Sequence, residues 1–369
     1  MPYPELSIFR AVALRQFSAA LITALTVCTG AAHAAEPLKT CFLYNLPIGE
    51  SGWIYQRELA RKELVAALGD KITTQYVENI AEGPDGERVL RNFVKDGCKL
   101  IFAPSFGLME QVMKVARQSP DVIFMNGSGY KTAANVGVYN ARYYEGRYLE
   151  GVLAGHMSKS GIAGYVGSFP IPEVLQGLNA FTLGMRSVNP KASVKLIWAN
   201  TWYDPGKERD AAGTLIKLGA DVLAYHTSGV SIVTAAEDKG VYTLGYYSDV
   251  RKFGPKTNLT SIMQTWGPFY IKTVEDVLAK RWKSANTLGG LREGMIKMAP
   301  LNDAVPPAVR EKLQEAERAI IDGKLHPFAG PIVDQEGKER VAKGKVMSDE
   351  ELNGMKFLVD GIEGRSPKH

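Results

Sequence analysis

The chain predicts an α/β fold of the doubly wound kind, and three observations carry that prediction. Short runs of residues are apolar throughout rather than alternating, as strands buried on both faces require. Stretches with helical spacing separate them almost without interruption. Such connections are long enough to return the chain to the same end of a sheet, so the strands are expected to run parallel.

The strand-like runs cover 41–44, 72–77, 100–103, 122–125, 136–139, 163–166, 194–199, 222–224, 241–245 and 259–263. Helical stretches lie between them at 53–68, 86–95, 109–118, 142–159, 173–187 and 207–218, and another follows at 268–280. Local punctuation agrees: Asp85-Gly86 precedes one helix, Ser119-Pro120 follows another, and Val188-Asn189-Pro190 ends the one that starts at Glu173. Asp204-Pro205-Gly206 reads as a helix start with Asp204 as its cap. Beyond Met298 the pattern changes to a Pro-rich stretch, a charged amphipathic helix over 307–322, and a tail expected to be irregular.

Residues 1–34 read as a secretory signal peptide. Arg10 and Arg15 precede an uncharged stretch from 17 to 32, and Ala32-His33-Ala34 places small residues at the two cleavage-determining positions. A lipoprotein reading through Cys28 meets Val27 where a small residue is wanted. Without that leader the formal charge falls from +5 to +4, too dilute for a nucleic-acid partner. No other apolar run approaches the ~18 residues of a spanning helix. The remaining cysteines, Cys41 and Cys98, each begin a strand-like run. They are either a disulfide between neighbouring strands or two buried thiols.

In open α/β sheets ligands bind beyond the carboxyl ends of the strands. Those turns hold aromatics, amides and hydroxyls: Tyr44-Asn45, Ser105-Phe106, Asn126, Trp202, Ser228-Gly229, Asp249 and Gln264-Thr265-Trp266. Trp53, Trp202 and Trp266 each stand near a strand end, where a ring is either packed on its own half or free to stack on a flat ligand. Chemistry finds less support. No GxxxxGK[ST], GxGxxG after a strand, HExxH, CxxC or Gly-x-Ser-x-Gly occurs, and the histidines lack metal-ligand spacing. Glu237 and Asp238 are adjacent and face apart on a helix, so surface solvation is expected of them. Neither catalytic residue, metal nor cofactor is expected. Asn126-Gly127-Ser128 and Asn258-Leu259-Thr260 match glycosylation acceptors.

The stretches "GLNAFTLGMRSVNP", "WYDPGKERDAAGTLIKLGADVLAYHTSG", "GVYTLGYYSDV" and "LTSIMQTWGPFYIKTVEDVL", in that order, resemble the basic membrane protein family of ABC-transporter substrate-binding proteins, which includes purine nucleoside receptors. The likeness runs over about 38–297. It implies a periplasmic-binding-protein type 1 fold, two doubly wound parallel-sheet lobes joined by a three-segment hinge. It implies an amino lobe of 36–140 with 255–288 returning to it, and a carboxyl lobe of 141–254 with 289–369. By the same resemblance Trp53 stacks on a base, Trp202 supplies a ring from the other lobe, Asp249 holds ribose hydroxyls and Asn126 is a polar contact. Tyr44-Asn45 and Gln264 stand where many relatives carry an Asp and a Lys, which makes a free purine base a rival to a nucleoside. The expected partners are that small molecule and an inner-membrane ABC permease, with the protein a periplasmic monomer. The alternatives are an extracytoplasmic nucleoside-cleaving hydrolase and a receptor for another flat heterocyclic ligand.

Overall fold

The computed structural model describes residues 36–366. The leader expectation, Cys28 included, lies outside them. The apolar runs become two sheets. The first has the order β11-β5-β4-β3-β1-β2, built from β1 (Leu38–Leu43), β2 (Ile72–Val77), β3 (Leu100–Ala103), β4 (Ile123–Gly127), β5 (Val136–Ala141) and β11 (Asn286–Gly289), with every pair parallel. The second runs β12-β10-β9-β8-β6-β7-β15. Its strands are β6 (Ile162–Gly167), β7 (Ser193–Trp198), β8 (Val222–Tyr225), β9 (Tyr242–Gly245), β10 (Asn258–Gln264), β12 (Ile296–Met298) and β15 (Ile362–Glu363), and only β12 pairs antiparallel. Phe42, Phe102, Tyr165, Val166, Leu223 and Leu244 are fully buried, as strands covered on both faces demand.

Helices cover the sheets: α1 (Gly52–Leu68), α2 (Pro84–Lys95), α3 (Met109–Gln118), α4 (Tyr143–Met157), α5 (Pro172–Val188), α6 (Pro205–Lys217), α7 (Ser231–Glu237), α8 (Gly267–Leu278) and α9 (Pro307–Ile321). Asp204 caps α6 by accepting a hydrogen bond from the Lys207 amide at 3.0 Å. Helices α4 and α5 pack with their backbones touching. A Cβ on Gly151 would lie 2.0 Å from the Phe181 carbonyl oxygen, and one on Gly184 would lie 2.1 Å from that of Tyr148.

The chain passes between the sheets three times: from β5 into α4, from β10 into α8, and from β11 into β12. The return to the first sheet, expected at 255, starts only after Gln264. Asn258 pairs with Thr243 and Ser261 with Gly245, which fixes β10 in the second sheet, while α8 beyond it packs on α1. The tail is more regular than expected. The hairpin β13 (Ile332–Val333) and β14 (Glu339–Val341), the helix α10 (Asp349–Asn353) with a Ser348–Glu351 capping box, and β15 beside β7 all organise it.

Cys41 and Cys98 form a disulfide with Cα atoms 6.0 Å apart, because β1 and β3 are neighbours. Glu237 is not merely solvated. It accepts hydrogen bonds from the Thr257 amide and hydroxyl at 2.9 and 2.7 Å and so ties α7 to the loop before β10. The acceptor asparagines Asn126 and Asn258 are fully buried.

Candidate functional site

The turns after the strands of both sheets line a narrow cavity. Asn45, Leu46, Trp53, Ser105, Phe106 and Ser128 form the wall on the first sheet's side. Ile171, Glu173, Trp202, Ser228 and Tyr247 form the wall on the second sheet's side.

Trp53, 8 % exposed, sits in the first turn of α1. Its indole Nε1–H donates to the Pro104 carbonyl at 2.6 Å, and the Arg57 guanidinium one turn later lies 3.7 Å from its ring centroid. One face of the indole is therefore covered by a cation and its edge is fixed. Asn45 donates to Glu82 and to the Ser105 hydroxyl, both at 3.2 Å, which holds the turn that carries Phe106.

Opposite, Trp202 follows β7 and packs edge-on against Phe169 at 5.1 Å. Its carbonyl accepts from the Ser228 amide at 2.9 Å, which ties the turns after β7 and β8 together. Tyr247 has φ +70°, a left-handed conformation costly for a bulky residue, and meets Trp53 edge to face at 5.3 Å.

Glu173 is in the first turn of α5. Its Oε2 accepts from the Ser128 hydroxyl at 2.8 Å and the Asn140 amide at 3.0 Å, both on the first sheet's side. Its Oε1 faces His226 Nε2 at 3.4 Å. Burial pushes this carboxyl up, but His226, Ser128 and Asn140 outweigh burial and hold it below the usual range. Burial depresses the pKa of His226, which favours the neutral ring.

Two further contacts join the sides. The Ser248 hydroxyl accepts from the Gly52 amide at 3.0 Å and from the Gln56 side chain at 2.9 Å. Gly52, at φ +93°, leaves no room for a side chain: its Cβ would lie 2.4 Å from the Ser228 carbonyl oxygen.

Of the residues singled out by sequence, Trp53, Asn45, Ser105, Phe106, Trp202 and Ser228 line the cavity. Six others are placed elsewhere. Tyr44 is buried, its hydroxyl donating to Glu58 at 3.3 Å. Asn126 spends its amide on the Ala103 and Ser105 carbonyls at 2.8 and 3.0 Å, shaping the Ser105 turn instead of reaching the cavity. Gly229 makes room for the Glu208 carboxylate, which would lie 2.0 Å from a Cβ there. Asp249 is clasped by Arg251 two residues on, with contacts of 2.6 and 3.0 Å. Gln264 accepts from Arg57 and from Trp266 Nε1, and Trp266, 1 % exposed, lies 4.7 Å from that guanidinium. Both belong to the second crossing, which runs behind Trp53. Ile171 and Glu173 were missed because they lie just past the turn after β6. Extending the strand-end rule into the first turn of the following helix would have found them.

Among the described residues no group of His, Cys, Asp or Glu is placed to hold a metal ion, and no helix is long and apolar enough to cross a membrane.

Two halves built on mainly parallel sheets, three crossings and a cavity between them describe the two-lobed fold of solute-binding proteins. Residues 38–326 match the family described as ABC transporter substrate-binding protein PnrA-like, and the chain belongs to that family. It is 50 % identical to a purine-binding protein of Brucella abortus over 339 residues, 92 % of this chain and 97 % of that one. It is 34 % identical to a Haloferax volcanii protein assigned to glucose binding in an ABC transporter, over 92 % of this chain and 83 % of the relative. In fold it is similar to an ABC transporter solute-binding protein from Conexibacter woesei, with a TM-score of 0.63 at 23 % identity, covering 78 % of this chain and all but a fraction of the other, 98 %. The protein serves an ABC importer as its substrate-binding component, a class that works outside the cytoplasm.

Proposed function

We propose that the protein captures a purine base in the cavity between Trp53 and the second wall and delivers it to an ABC permease. The observation that carries this reading is the lining itself: Trp53, Phe106, Trp202 and Tyr247 converge on one small cavity from both sides. Flat rings around a narrow space suit a planar heterocycle, with stacking worth ~1–3 kcal/mol per ring. The Brucella relative named for purine binding, half identical along nearly the whole chain, supports the same ligand class. A base is favoured over a nucleoside because Asp249, the carboxylate expected to hold ribose hydroxyls, is engaged by Arg251 and is not among the lining residues.

The reading includes a cleaved leader, a periplasmic monomer and binding without turnover. Glu173, held ionised, is a poor general acid for cleaving a nucleoside. Isothermal titration of ligand-stripped protein with adenine, guanine, adenosine, guanosine and glucose tests it. Heat is expected from the bases, with nucleosides weaker and glucose silent. Silence from every purine overturns the reading, as would release of free base from adenosine on incubation.

A further inference from the structure

We infer that Glu173 is a charge filter: it reads an N–H donor edge on an uncharged purine and turns away anionic purines. The inference rests on the purine reading above and adds which purines enter.

Glu173 is the one charged side chain among the residues that line the cavity. No arginine or lysine accompanies it there. The buried Arg147 nearby is taken by Glu150 at 2.7 Å and by the Tyr225 carbonyl. His226, the group facing Oε1, is fully buried and lacks a hydrogen bond of good geometry at either ring nitrogen. Ser128 and Asn140 donate to the carboxylate as neutral groups, and His226, which faces Oε1, is pushed toward its neutral form by burial.

These neutral bonds use Oε2. Oε1 is opposed by His226 at 3.4 Å and keeps acceptor capacity, since each carboxylate oxygen can take about two hydrogen bonds. An N–H presented to it forms a charge-assisted bond, stronger than its neutral equivalent. Adenine offers an amino group, and guanine offers a ring N–H beside an amino group. Urate, an anion at neutral pH, brings a second negative charge into a site of low dielectric, where like charges repel strongly. The phosphate of a nucleotide meets the same repulsion. The cavity walls supply area to any flat ring, so discrimination between rings of similar shape falls to this carboxylate.

The test is titration of adenine and urate into wild-type protein and into Glu173→Gln and Glu173→Asp. Wild type is expected to favour adenine over urate by at least about 100-fold. Glu173→Gln keeps the shape and removes the charge. Adenine affinity should then fall about 10- to 100-fold while urate gains, so that the ratio collapses. Glu173→Asp shortens the arm and keeps the charge, so adenine weakens and urate stays excluded. Ser128→Ala separates charge from the contact between halves: both ligands should weaken by a similar factor with their ratio kept. An unchanged adenine-to-urate ratio in Glu173→Gln overturns the inference. Should that variant not fold, comparable binding of adenine and urate to Glu173→Asp overturns it instead. If wild type binds no purine at all, the purine reading itself has failed; a variant-insensitive ratio in a purine-binding wild type sinks only the role of Glu173.

Discussion

The two walls of the cavity are built in opposite ways. On the first side Trp53 is pinned by a backbone carbonyl, backed by the Arg57 guanidinium and carried by a half that also holds the Cys41–Cys98 disulfide. On the second side Trp202 is partly exposed and rests edge-on against Phe169. Around it are Glu173 and Tyr247, with the ionisable groups His226 and Glu208 buried close by. The first wall is a fixed platform, whereas the second carries the charge and the adjustable contacts. A receptor that closes on its ligand needs both: one preorganised surface, and one that completes the site on closing.

This contrast can be broken experimentally, and the largest effect should come from the disulfide. Replacing Cys41 and Cys98 by Ser removes a cross-link spanning 57 residues and is expected to cost about 4 kcal/mol of stability by the loop-entropy estimate. Hydrogen exchange should show the loss concentrated in β1–β4. A uniform loss would deny that the first half is the separately stapled one. Next, Trp53→Ala should weaken purine binding by about 3 kcal/mol, more than 100-fold, because it removes a stacking surface and uncovers the Arg57 guanidinium. Titration calorimetry on the folded variant reads this directly.

Gly52→Ala should cost about 2 kcal/mol of binding, because the added methyl meets the Ser228 carbonyl only when the halves are together. Small-angle scattering with saturating ligand is expected to show a more open particle than wild type. An equally compact one would mean that the Ser228 contact does not limit closure.

The second wall should also announce itself in pH dependence. Burial raises the Glu208 carboxyl to about 7, with the Asp204 amide opposing. A carboxyl whose folded pKa lies above its unfolded value contributes stability in full below the unfolded value, and that contribution is lost as pH rises through 7. Unfolding free energy should therefore fall between pH 5 and 7, by up to about 1.4 kcal/mol per pH unit from this group, and Glu208→Gln should flatten the slope. The smallest effect is expected from Trp202→Ala, about 1 kcal/mol in binding, since the ring is partly solvated already. A loss equal to that of Trp53→Ala would erase the distinction between the walls.

The strands were legible because burial on both faces leaves continuous apolar runs, and all ten expected runs correspond to β1–β10. Weak signals failed: β11 and β12 are three or four residues long, and β15 is two. The cavity was half legible. Strand-end turns gave its height, hence Trp53, Asn45, Ser105, Phe106, Trp202 and Ser228, but not which way each side chain turns. Asn126 turns to the Ser105 carbonyl, and Asp249 to Arg251 beside it in sequence. Gln264 and Trp266 could not be placed without knowing that β10 joins the second sheet, which puts the crossing behind Trp53 instead of in front of it. Glu173 was read only as the start of a helix, although a carboxylate in a first turn beyond a strand is well placed to reach a ligand.

The central claim is that a flat purine is held against Trp53 with its donor edge toward Glu173. A crystal structure of the ligand-stripped protein resupplied with adenine measures this most directly. The account predicts the base about 3.5–4 Å from the indole plane with an N–H on the Glu173 carboxylate. Adenine bound elsewhere, or in the cavity without ring contact to Trp53 and with Glu173 bonded only to Ser128 and Asn140, would contradict it.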